Sequence, residues 1–187
     1  MADMGTLHEA FVEELRDIYD GEKQLTKALP KMAKAANSPE LREAIEAHLE
    51  ETRQQIQRLE QVFAAVEEKP RGKHCDGIAG IIEEGQAIME ENFDEATADA
   101  CLIAAAQRAE HYEMATYGTL VAWARVMGHD DAADLLQETL DEETAADEKL
   151  NALAEGGINE QAAEGAHQGE GEEEEEEEEE TTPTRRR

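Results

Sequence analysis

AEHYEMATYGT, residues 109–119, decides how the chain is read. The stretch lies inside a long helical pattern. Yet Glu110, Glu113 and Tyr117 fall on the stripe Ile103, Ala106, Glu110, Glu113, Tyr117, Leu120, Ala124, Met127, whose alternating spacing of three and four belongs to a core-facing surface. A buried carboxylate without a partner costs several kcal/mol or takes up a proton. Two of them on one core stripe need a physical reason.

Working outward, three more stripes have the same character. The first helix runs from about Thr6 to Ala36 and carries Phe11, Leu15, Ile18, Glu22, Leu25, Leu29, Met32 and Ala36. The second, from Pro39 to about Val66, carries Leu41, Ile45, His48, Thr52, Gln55, Leu59, Val62 and Val66, with Glu51 at the edge. The third, from about Asp94 to Met127, is the one quoted. The fourth, from Asp130 to about Ala154, carries Leu136, Leu140, Glu143, Asp147, Leu150 and Ala154. Ser38 and Pro39 form a helix-start signal, GHDD ends the third helix and caps the fourth, and EGG stops the fourth. Pro30 predicts a kink or a local break. Between the second and third helices lies Glu67–Phe93, too long for an ordinary loop, with a short amphipathic piece, GIAGIIEEGQAIM. A crossover of that length lets the second and third helices run parallel in a four-helix bundle.

Each stripe is interrupted near its middle: Glu22, His48 with Glu51, Glu110 with Glu113, Glu143 with Asp147. At about 1.5 Å per residue, antiparallel helices of similar length bring these positions to one depth. A shared polar layer of six carboxylates and one imidazole, with no Lys or Arg on the stripes, calls for cations. Oxygen ligands with an imidazole suit a pair of iron ions, or manganese; zinc is a weaker fit. Glu22, Glu110 and Glu143 are central, Glu51 is offset, and Glu113 and Asp147 also fit a place behind the ligands. Tyr117 reads either as core or as a phenol that gives the site a hydrogen bond or an electron. His111 should point about 100° from Glu110. The competing reading sends the acids to solvent at the stripe edges, or pairs them with Arg from a neighbouring helix.

Composition sets further limits. Apolar content of 40% with only 4% aromatics favours packed helices over sheets. A net charge of −30, from 17 basic and 47 acidic residues, argues against nucleic acid or an anionic membrane as partner. Such acidity fits a salty cytoplasm or simply a solvated surface with an acidic tail. No leader or membrane-spanning run is recognisable, so a cytoplasmic location is expected. Cys75 and Cys101 form no pair motif, and KHCD (Lys73–Asp76) reads as incidental. Residues 1–155 are expected to form the bundle and 156–187 a disordered acidic tail.

DIYDGEKQLTKALPKMAKAANSPEL, HLEET, DACLIAAAQRAEHYEMATYGTL and LLQETLDEETAADEKLNALA resemble the YciE/YciF family of ferritin-like proteins, in order, over about Leu7–Glu155. The resemblance implies an all-α ferritin-like four-helix bundle with a crossover, a homodimer, a carboxylate-bridged di-iron site and a role in stress responses. In the wider group two helices each give a Glu and two give Glu-x-x-His. Glu22 and Glu110 match the single glutamates, and Glu51 and Glu143 match the acids of the other pair. The histidines do not match, since Gln54 and Ala146 stand three residues later. His48 precedes Glu51 instead, Asp147 is the substitute on the last helix, and Tyr117 stands where rubrerythrin-like members have a tyrosine. The implied activity is ferroxidase-type oxidation of Fe(II) with O2 or peroxide. The alternatives are an oligomeric helical scaffold of stress and manganese catalase-like peroxide removal. No nucleophile elbow, phosphate loop or zinc-type cysteine cluster supports another enzyme class.

Overall fold

A computed structural model describes residues 5–164, and all regular structure among them is helical. Helix α1 is Leu7–Ala35, α2 Pro39–Ala65, α3 Asp76–Glu90, α4 Glu95–Met127 and α5 Asp130–Leu153. Capping follows the local sequence. Thr6 and Glu9 close a reciprocal box at the start of α1, Ser38 and Pro39 open α2, and Asp94 accepts from the Ala96 and Thr97 amides at α4. Gly128, in the left-handed conformation with φ 77°, ends α4.

Helix α1 packs against α2 and α4, and α5 packs against the same two. The N-terminal half of α1 meets the C-terminal halves of α2 and α4, so α2 and α4 run parallel at opposite corners, as the long crossover requires. The amphipathic piece within the crossover is α3, which lies over α1 and α4. It is held down by Asp20, whose Oδ2 accepts from the Cys75 amide at 3.0 Å, and by the Lys73 amide donating to the Arg16 carbonyl at 2.9 Å. Gly77 is required here: a Cβ at that position would stand 2.5 Å from the Tyr112 ring. Cys75 is a buried cap of α3 with its Sγ near the Tyr112 hydroxyl, and not part of a metal cluster.

Two expectations change. Helix α1 continues through Pro30 without the anticipated break. Pro30 is on the exposed side, where water can serve the carbonyl that proline leaves unpaired. The expected EGG stop also differs, because beyond α5 Ala154–Ile158 make a π turn and residues 159–164 are again helical. Ile158 packs on the lower apolar cluster and extends the ordered end beyond the GG pair. The rest of the expected tail, residues 165–187, lies outside the described residues.

The core is divided. One apolar cluster gathers Phe11, Leu15, Ile18, Leu59, Phe63, Leu120 and Leu136. The other gathers Leu25, Leu29, Leu41, Ile45, Leu102, Ile103 and Leu150. Between them lies the polar layer.

Candidate metal centre

Four of the long helices each place at least one polar side chain in that layer. Glu22 comes from α1, His48 from α2, Glu110 and Glu113 from α4, and Glu143 from α5, all buried. Ligand atoms of His48, Glu110, Glu113 and Glu143 lie within 4.8 Å of one another, the spacing of a cation's coordination sphere. Glu22 joins from the α1 side, fully buried, and the Glu143 charge acts on it. The layer thus gathers four carboxyl groups from three helices.

His48 links them. Its Nε2 is 3.3 Å from Glu110 Oε1 and 3.9 Å from Glu143 Oε2. Its Nδ1 is 3.6 Å from Glu51 Oε2, an ion-pair distance and longer than a hydrogen bond. A carboxylate behind the distal nitrogen is the usual way to aim an imidazole at a metal. Glu51 is therefore at the rim, its side chain 48% exposed, behind the imidazole and not inside the cluster. Asp147 is buried but turned aside, accepting from Gln107 Nε2 at 3.1 Å and from Asn151, with His111 Nε2 at 3.3 Å. His111 itself is exposed, as its position after Glu110 predicts. Tyr117 is fully buried and donates its phenol hydrogen to Glu22 Oε1.

The electrostatics are those of a layer short of positive charge. Burial first, then the Glu143 charge, push Glu22 up to about 8. Burial and the neighbouring acids push Glu110 up to about 7, and Glu113 and Glu143 well above the carboxylate range. Burial opposes a charge on His48, but Glu51, Glu143 and Glu22 outweigh it and raise its pKa. Six carboxylate oxygens of Glu22, Glu110, Glu113 and Glu143 have no hydrogen-bond partner. Among the described residues, the ion pairs that reach Glu110 and Glu143 come from His48 and not from Lys or Arg. Orphaned hard oxygen donors plus one imidazole fit a hard to borderline cation such as iron or manganese.

Arg58, which the stripes do not single out, is buried where α2 meets α5. It donates to both oxygens of Glu142, to Glu138 and to Thr139. This knot ties α2 to α5 and spends the guanidinium outside the layer. A cavity of about 710 Å³, its opening included, reaches His48 and Glu110 from between α2 and α5, past Glu51, Ala145 and Ala146. Alanine at 146, where the related motif has histidine, is part of what leaves this space open.

The family model described as Domain of unknown function (DUF892) matches residues 6–163. Protein YciF of Escherichia coli K12 is 45% identical over 160 residues, covering 85% of this chain and 96% of that one. The crystal structure of the E. coli stress protein YciF aligns with a TM-score of 0.81 at 45% identity, over 83% of this chain and 99% of the other. YcfI of Rhodopseudomonas palustris, described as a candidate structural protein, aligns at 0.78 with 47% identity over 80% and 96%. A Xanthomonas campestris protein with 24% identity and a TM-score of 0.69, over 87% and 99%, shares the fold.

Proposed function

The chain belongs to the family described as Domain of unknown function (DUF892), and on that premise we propose that it is a di-iron carboxylate protein which oxidises Fe(II) with dioxygen or peroxide during stress. The observation that carries the reading is the set of six orphaned carboxylate oxygens around His48. The link to stress comes from YciF, which is called a stress protein. Glu22, Glu110, Glu113, Glu143 and His48 would hold the metal. Bound there, iron(II) would supply electrons to the oxidant, one from each ion.

The remaining chemistry belongs to the chain. Raised by burial and by one another's charge, the four carboxyls hold protons without metal and would give them up as cations arrive. Tyr117 steadies Glu22 through Oε1 and leaves Oε2 free. Glu51 lies at ion-pair distance behind the Nδ1 side of His48, whose Nε2 addresses the layer. The apolar clusters above and below keep bulk water out, while the cavity beside Ala145 and Ala146 admits a small oxidant. Asp147, through Gln107, braces α5 against α4 from outside the ligand set.

Anaerobic loading of the purified chain with Fe(II), followed by oxygen or peroxide, tests this. A new near-ultraviolet absorbance should develop in the parent and not in Glu110→Ala. Equal behaviour of the two would refute it. Elemental analysis of gently purified protein separates iron from manganese, and so this reading from catalase-like peroxide removal. A second reading, a helical scaffold that acts by self-association as a homodimer or larger assembly, draws on the description of YcfI. It requires that chelation leave both assembly and activity in the cell unchanged.

A further inference from the structure

A second cleft enters the bundle from the opposite side to the α2–α5 cavity. It opens between α1 and α3 and encloses about 540 Å³, its mouth included. Leu29, Met32, Ile82, Met89 and Ala105 form its walls, and its inner end is closed by His48 and Glu110. The lining, more than the size, is that of a small-molecule pocket: apolar sides, with polar groups at the two ends. The space is narrow, because α3 lies directly over it. Gly85 and Ala105 make the room, with the position of a Gly85 Cβ only 3.6 Å from the Ala105 Cβ.

The mouth has an unusual charge for this molecule. Lys31 and Gln86 stand there, both exposed. Lys31 belongs to the run Lys23, Lys27, Lys31, Lys34, and no acidic residue occurs between Glu22 and Glu40. In a chain with 47 acids this is a local basic strip, along the helix that forms one lip of the cleft. Among the described residues no ion pair occupies Lys27, Lys31 or Lys34.

We propose that the cleft between α1 and α3 binds an anionic amphiphile, with its unbranched apolar chain directed inward toward His48 and Glu110 and its anionic head at Lys31 and Lys27. Charge complementarity selects the head, and the narrow apolar walls select the chain. Should the metal reading hold, the end of the chain would stop beside the centre, which deepens that reading by naming a substrate class. The binding itself depends on the cleft alone.

Calorimetric titration of the full, chelator-treated chain with octanoate, decanoate and dodecanoate, each below its micelle concentration, provides the test. The expected result is saturable one-to-one binding that tightens about fourfold per added methylene until the cleft is filled. Decylammonium should bind more weakly than decanoate. Lys31→Glu with Lys27→Glu should weaken decanoate by at least about tenfold and narrow that preference. Ala28→Phe, at a half-buried position lining the cleft, should abolish the chain-length dependence while leaving the melting curve unchanged; Gly85→Ile serves if that variant does not fold. Sedimentation with phosphatidylglycerol vesicles separates a free amphiphile from a lipid surface. Vesicle binding lost with the lysines but unaffected by Ala28→Phe, without decanoate binding, would overturn the proposal in favour of surface docking. Absence of saturable decanoate binding, or affinity independent of chain length, overturns it outright. Because the titration uses metal-free protein, its failure and failure of the iron chemistry are separate outcomes.

Discussion

Raising the pH of the metal-free protein should destabilise it, and the expected size of the effect follows from the polar layer. Glu22 and Glu110 have ordinary values of 4.5 in the unfolded chain and about 8 and about 7 in the fold. A group raised by folding stabilises the native state fully below its unfolded pKa, and that contribution is lost as pH climbs through the folded value. Each proton held only by the native state gives a slope of about 1.4 kcal/mol per pH unit. With two such protons, the loss between pH 5.5 and pH 7 comes to about 4 kcal/mol, a large share of the roughly 5–15 kcal/mol typical of a domain. Glu113, Glu143 and His48 are shifted in the same direction and add to the loss. The assay is urea unfolding followed by circular dichroism, at constant ionic strength with chelator present. Metal-loaded protein should have the reverse slope, because its ligands must shed protons to bind, and calorimetry in buffers of different ionisation enthalpy should register that release. A chelated protein whose midpoint is flat or rises from pH 5.5 to pH 8 would show that the carboxylates are solvated, and the metal centre would go with them.

Three further predictions concern single side chains. Glu113→Gln, an uncharged near-isostere, should flatten the pH slope of the chelated protein by about one proton's share and lower the metal bound per chain, as read by elemental analysis. Asp99→Ala removes the acceptor that holds the Asn37 and Ser38 amides at 2.8 and 2.6 Å, and should cost about 2–3 kcal/mol in urea unfolding. Gly77→Ala drives a Cβ into the Tyr112 ring and should cost about 1–3 kcal/mol; combining it with Tyr112→Ala should cost less than the two separate effects summed.

Helical periodicity made much of this legible. Charges at mid-stripe positions are conspicuous because apolar residues flank them by whole turns on either side, and counting residues puts Glu22, His48, Glu110 and Glu143 at one depth. What spacing resolves poorly is rotation. Glu51 and Asp147 lie close to their stripes, yet a small turn about the axis sends one to the rim behind His48 and ties the other to Gln107. Arg58 escaped for a different reason. Charge is ordinarily read as exposure, and the Glu138 and Glu142 pair that justifies its burial appears only once α2 and α5 are known to be neighbours. The continuation past Gly156 and Gly157 was hidden because glycines signal a helix end, while Ile158 has an apolar cluster to rest on.

The band of acids between two greasy halves also acts as a ruler for assembly. Slide α4 by one turn, about 5.4 Å, and Glu110 would take the place of Ala106 near Leu29 and Ile45. Slide it the other way and Glu113 would replace Tyr117 among Ile18 and Leu59. Either slip strands a carboxylate in hydrocarbon with nothing to answer it. Shifted alignments that smooth, alanine-rich rods would otherwise tolerate are thereby excluded, and the same acids that burden the folded chain guarantee that only one alignment survives.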